Sequence, residues 1–147
     1  MSAKIVVSAL ALSLAFAAPA FADALSDGVA ALPGGVEDVR IAGTWQNEGK
    51  SGAYRVVIAR SGGDAVTARL FVQWIAYGEA GESTVENSME IAEFAPLNLD
   101  IVDFVSESDA DGLSVYIETI DPSGSADEQY ELHIFGPNDY RFGPATN

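Results

Sequence analysis

The chain has 147 residues, with 7 Lys+Arg against 22 Asp+Glu, one histidine and no cysteine. The lack of cysteine excludes Cys-ligated zinc, iron–sulfur clusters, thiol nucleophiles and disulfides. The net charge of −15 argues against nucleic acid as a partner, because phosphates need a basic face, while 48% hydrophobic and 10% aromatic residues supply material for a packed core.

Residues 1–22 read as a secretory signal peptide. Lys4 provides a positive start, Ile5 to Ala18 is apolar and uncharged, and Ala20-Phe21-Ala22 is a small-x-small cleavage site before Asp23. As a helix the apolar run spans about 21 Å, short of a hydrocarbon core of roughly 30 Å, so no membrane span is expected. The expected location is periplasmic or secreted. The chain from Asp23 onward carries 6 bases against 22 acids, a charge of −16.

Residues 23–37 form a small-residue lead-in. Ser26 and Asp27 are suited to cap a short helical turn over Val29 to Leu32, which Pro33-Gly34-Gly35 would stop. Residues 38–147 then read as one antiparallel β domain. Eight β-type runs follow, at about 38–47, 52–61, 64–77, 84–94, 97–106, 113–121, 128–136 and 139–143. The alternation is plainest where Leu113, Val115 and Ile117 interleave with Ser114, Tyr116 and Glu118. Tyr130, Leu132 and Ile134 repeat it, as do Val85, Met89 and Ile91. Period-two alternation with one polar face marks strands laid over a single core. Ser61-Gly62-Gly63-Asp64, Asp111-Gly112 and Pro137-Asn138-Asp139 supply hairpin-type turns. Short links predict an all-β, up-and-down meander, either a closed barrel or a sandwich.

Two runs, 70–77 and 101–105, are apolar on nearly both faces. Such strands are either central and covered or present apolar surface to a partner. Charge is also uneven: residues 70–140 contain no Lys or Arg, and sixteen acids lie between Glu79 and Asp139. That field repels nucleic acid and attracts basic proteins, and it also serves solubility.

Glu107-Ser108-Asp109-Ala110-Asp111-Gly112 with Glu118 approaches the spacing of a calcium loop, but its strand-like flanks favour a hairpin turning at Asp111-Gly112. His133, the single histidine, falls on the polar phase of its strand beside Glu131, and no G-x-S-x-G elbow accompanies it. No catalytic residue, metal site or cofactor is therefore expected, and the protein reads as a non-enzyme.

Gly43-Thr44-Trp45 resembles the G-x-W signature of lipocalin-type barrels, where the Trp closes one end of the barrel and a late Arg packs across it. The resemblance implies that role for Arg141; a Trp that simply plugs the core accounts for the same tripeptide. Ser51-Gly52-Ala53-Tyr54 is similar to the S-G-x-Y loop of bacterial periplasmic lysozyme inhibitors, and that likeness implies insertion into a cationic hydrolase. A plain turn leading into the second strand is the alternative. Trp45, Ser51, Tyr54, Phe71, Trp74 and Tyr77 are the candidate contact residues, mostly aromatic anchors of the kind that interfaces use. The expected partner is a basic protein, with a small apolar ligand inside a lipocalin-like barrel as the alternative.

Overall fold

The computed structural model describes residues 21–125 and 127–146. The signal-peptide reading falls almost wholly on residues 1–20, outside that range. The chain divides into two compact units at Leu32 and Pro33. In the first, helix α1 covers Phe21–Ala30, and the Ala31 and Leu32 amides close it by donating to the carbonyls of Asp27 and Val29. The helix thus starts well before the expected turn at Val29. Good helix formers run through Ala22, Ala24 and Leu25, and the proline at position 33 ends it.

The second unit is the β domain. Its strands are β1 (Val36–Asn47), β2 (Lys50–Ser61), β3 (Thr67–Tyr77), β4 (Ser83–Glu90), β5 (Asp100–Ser108), β6 (Leu113–Ile120), β7 (Gln129–Gly136) and β8 (Asp139–Pro144). All eight expected runs are strands. They form two antiparallel four-stranded sheets in simple chain order, β1-β2-β3-β4 and β5-β6-β7-β8. No ladder joins β4 to β5 or β1 to β8 among the described residues, so the fold is a sandwich of two meanders and not a closed barrel.

The break between the sheets has a local cause. After Glu90 the chain turns inward: the Ile91 amide donates to the Leu70 carbonyl, and the Phe94 amide to that of Ile91. A 3₁₀ turn, Ala95–Leu97, follows and ends on Asn98 in the left-handed region at φ 54°. Pro96 has no amide to donate to a ladder, and Asn tolerates the left-handed conformation better than most residues. The expected run 84–94 therefore stops four residues early, and the next begins three residues late.

Both sheets bury one face in a shared core. Val56, Ile58, Leu70 and Val72 of the first sheet meet Val115, Ile117, Leu132 and Ile134 of the second, with Phe94 and Ile101 fully enclosed. The two apolar runs behave differently. β3 is an inner strand with Leu70, Val72 and Trp74 buried. By contrast β5 is an edge strand that leaves Val102 and Val105 exposed, so it is not covered on both faces.

At one corner β1 and β5 approach side by side. The Thr44 amide donates to Ser108 Oγ at 3.1 Å. Gly43 sits at φ 149° beside a register shift, and a Cβ there would collide with the Ser108 side chain. The glycine of G-x-W is thus required for close approach of the two strands.

The ends of the sandwich differ in construction. Four hairpins, β1–β2, β3–β4, β5–β6 and β7–β8, gather at one end. The other end carries the β2–β3 and β6–β7 turns and the crossover from β4 to β5. There Arg60 ties the sheets together: Nε donates to Asp100 Oδ1 at 2.7 Å, Nη2 to the Ile101 carbonyl and Nη1 to Glu37 at 3.2 Å. Phe94 packs edge-on to Tyr130 and Phe142, which stack on each other with centroids 5.3 Å apart.

Candidate functional site

The hairpin end opens into a cavity of about 990 Å³. Strand register builds its floor. Tyr54 of β2 pairs with Trp74 of β3, which pairs with Asn87 of β4, so the three side chains form a row across the inner face of the first sheet. The Tyr54 and Trp74 rings meet edge to face at 5.8 Å. Trp45 of β1 completes the floor opposite Gly52, where a Cβ would collide with the Ile75 carbonyl oxygen and crowd the indole. That glycine gives the Trp45 ring its seat.

Two donors in this floor lack partners. Trp45 is only 8% exposed, and among the described residues its Nε1 has no hydrogen-bond acceptor; neither does the buried Nδ2 of Asn87. Leaving a buried donor unsatisfied costs about 1–3 kcal/mol. Both atoms are closed off from solvent, so a group in the cavity does not reach them unless the side chains move.

The lip is acidic. Glu48 comes from the β1–β2 hairpin, Glu86 from β4, and Asp109 and Asp111 from the β5–β6 hairpin. Among the described residues Lys50 is the one base lining the cavity, and it is bound to Glu86 at 2.5 Å. That contact, first as a hydrogen bond and then as a charge pair, raises the Lys50 pKa. Glu48, Asp109 and Asp111 form no ion pair among the described residues. Burial raises the Tyr54 phenol above its ordinary value, and the Asp109 charge adds to that. Phe135 and Pro137 give the lip an apolar side.

The structure gathers three of the six candidate contact residues, Trp45, Tyr54 and Trp74, in one site. Phe71 lies on the outer face under the Arg69 guanidinium, 5.3 Å from its ring centre, and Tyr77 is half exposed at the end of β3. Ser51 is exposed at the start of β2, while Gly52, Ala53 and Tyr54 are buried within the strand. Residues 51–54 are therefore no protruding loop. The turn lies earlier, at Glu48 and Gly49, whose φ values of 48° and 80° suit a two-residue hairpin.

Arg141 does not pack across Trp45. It pairs with His133 in the second sheet, and its guanidinium lies 5.7 Å from the Phe135 ring centre. Tyr140 and Phe142, on either side of it, pack against the core, which sends Arg141 outward.

The acidic hairpin is a turn. Asp109 Oδ1 accepts from the Asp111 and Gly112 amides at 2.8 and 3.2 Å, and Glu118 is carried away along β6. Among the described residues no group of three or more His, Asp or Glu is placed to hold a metal ion. His133 makes a surface arrangement with Ser114 Oγ, 3.0 Å from Nδ1, and Glu131, 3.4 Å from Nε2. His133 lies on β7 and Ser114 opposite it on β6, both inner strands of the second sheet.

Asn87, Glu86 and Lys50 went unnoticed in the sequence. Asn87 shares the inward phase of Met89, and a polar residue at a core position was the available signal. Comparison with protein-family models, curated proteins and solved structures finds no match.

Proposed function

We propose that this is an exported, non-enzymatic binding protein whose partner occupies the cavity at the hairpin end. The observation that carries this reading is a cavity of about 990 Å³ whose lining brings Trp45, Tyr54 and Trp74 together under an acidic lip. That volume lies in the range of small-ligand and anchor-residue pockets. A polar lip over an aromatic floor suits recognition of a group with both apolar and polar parts. It fits a purely apolar cargo poorly, since four carboxylates border it. A protein partner is favoured, because the aromatic anchors sit centrally and the hairpins around them can contact a larger surface.

Both tryptophans of the chain line the cavity, so indole emission reports its occupancy directly. Fractions of exported proteins and small molecules are passed over the immobilised chain, eluted with salt and titrated back while Trp emission is followed. A retained component that shifts the emission is the expected result. Retained components that all leave the emission unchanged place binding elsewhere and overturn the proposal. Mass spectrometry of the exported chain, with an N-terminus expected at Asp23, tests the export step.

A further inference from the structure

The outward side chains of β3 belong to a second surface, on the side of the first sheet away from the core. Register sets three cross-strand rows there. Val39, Val57 and Phe71 share one, with Glu90 at its end. Ile41, Arg55, Gln73 and Ser88 form the next, and Thr44, Ala53, Ile75 and Val85 the third. Val39, Ile41 and Val85 are 46%, 60% and 52% exposed, so large apolar side chains meet solvent at both edges of the sheet. Charge is sparse in these rows: Arg55 donates to Gln73 at 2.8 Å, and Glu90 is held by Arg69 of the adjoining row. An apolar, nearly neutral face on so acidic a chain marks a contact surface.

Shape and charge both select a second copy of this chain as its occupant. Along β2 and β3 a small side chain stands opposite a larger one: Ala53 by Ile75, Val57 by Phe71, Ala59 by Arg69. A two-fold axis running between these strands lays each large side chain on the small one of the other copy. The same axis sets Arg55 against Gln73, the partner it already has within the chain. Residues 36–90 carry 8 acids against 5 bases, whereas 100–144 carry 11 against 1. Pairing through the first sheets puts the two acidic sheets outermost, about 30 Å apart for layers spaced about 10 Å. That distance exceeds three screening lengths of about 8 Å, so their repulsion is weak. Pairing through the second sheets would instead bring Glu107, Glu118 and Glu131 of both copies together. Four strands about 4.8 Å apart and about eight residues long make a face of roughly 19 by 26 Å. Two such faces bury on the order of 1,000 Å², the lower limit for a specific interface and the size of a reversible one. We propose that the chain forms a two-fold dimer through the outer face of its first sheet.

Sedimentation velocity of the full chain from about 1 µM to about 500 µM tests this, with a dimer of micromolar dissociation constant expected. I41E/V85E changes two exposed positions on the face and should weaken association at least about hundredfold. V105E makes the same kind of change on the outer face of the second sheet, at a residue 66% exposed, and should leave association unaltered. In the unsubstituted chain, methyl resonances of Val39, Ile41 and Val85 should gain protection from a soluble paramagnetic agent as concentration rises, while those of Val105 do not. A monomer throughout the range overturns the proposal. So does a dimer that I41E/V85E leaves intact, one that V105E abolishes, or one in which the Val105 methyls are the protected set.

Discussion

The two ends of this sandwich draw on the same strands and the same kinds of residue, yet one is more nearly finished than the other. At the crossover end, Arg60 is satisfied by two carboxylates and a carbonyl, and Phe94, Tyr130 and Phe142 fill the space between the sheets. At the hairpin end, an equally aromatic trio stands over a cavity of about 990 Å³, against about 560 Å³ beside Glu118 and Glu128 at the crossover end, and two buried donors lack partners among the described residues. Apolar content does not separate the ends. What separates them is whether buried donors are paired among the described residues, and at the hairpin end those of Trp45 and Asn87 are not.

Mutations at the two ends should break along this line. The largest effect is expected at the finished end: Phe94→Ala, at a fully enclosed position, should cost about 3–5 kcal/mol in urea unfolding. Arg60→Met removes the tie between the sheets and leaves Asp100 without its partner, for a loss of about 2–3 kcal/mol. At the open end the sign reverses. Asn87→Leu replaces an unpaired donor with an apolar group of similar size and should stabilise the free protein by about 1 kcal/mol while weakening binding. A loss of stability in that variant would mean that Asn87 is satisfied in solution and that the contrast between the ends is false.

Alkaline pH gives a smaller and sharper probe. The Tyr130 hydroxyl donates to Glu128 at 2.5 Å, and this bond, aided by burial and the carboxylate charge, pushes its pKa from 10.0 up to about 12. The folded chain then holds a proton that the unfolded chain releases first. The stabilisation is complete below pH 10 and is lost as pH rises towards 12. Tyr54 and Tyr140 are shifted in the same direction, the first by burial and the second by its bond to Glu93. Tyr130→Phe should therefore flatten the stability–pH curve between 10 and 12 without abolishing its slope, as measured by chemical denaturation at each pH.

Much of the fold was legible because alternation is a local property. Leu113, Val115 and Ile117 announce a strand whatever lies beside it, and each of the eight runs became one. Where the meander divides was less legible, since it rests on Ile91 and Phe94 turning into a core formed by distant strands. For the site, residue type was readable and register was not. Trp45, Tyr54 and Trp74 stood out as aromatic anchors, but their meeting with Asn87 depends on pairings across β2, β3 and β4. Asn87 keeps the inward parity of Met89, but a register shift between Trp74 and Ile75 turns Val85 out, which no alternation count reveals. Arg141 shows the converse. Its neighbours Tyr140 and Phe142 fixed its outward direction, and strict parity would have argued against the Trp45 pairing.

The simple strand order has a consequence for how the chain reaches this state. Each sheet is a contiguous stretch, 36–90 and 100–144, closed by hairpins between neighbours in sequence. Loop-closure entropy is therefore small for every ladder, and only the docking of the two halves joins residues far apart along the chain. Folding should be quick for an all-β protein, with each meander assembling by itself and the join at Phe94 forming late, so that Phe94→Ala accelerates unfolding far more than it slows folding. A chain that emerges N-terminus first has all of its first sheet before any of the second has appeared.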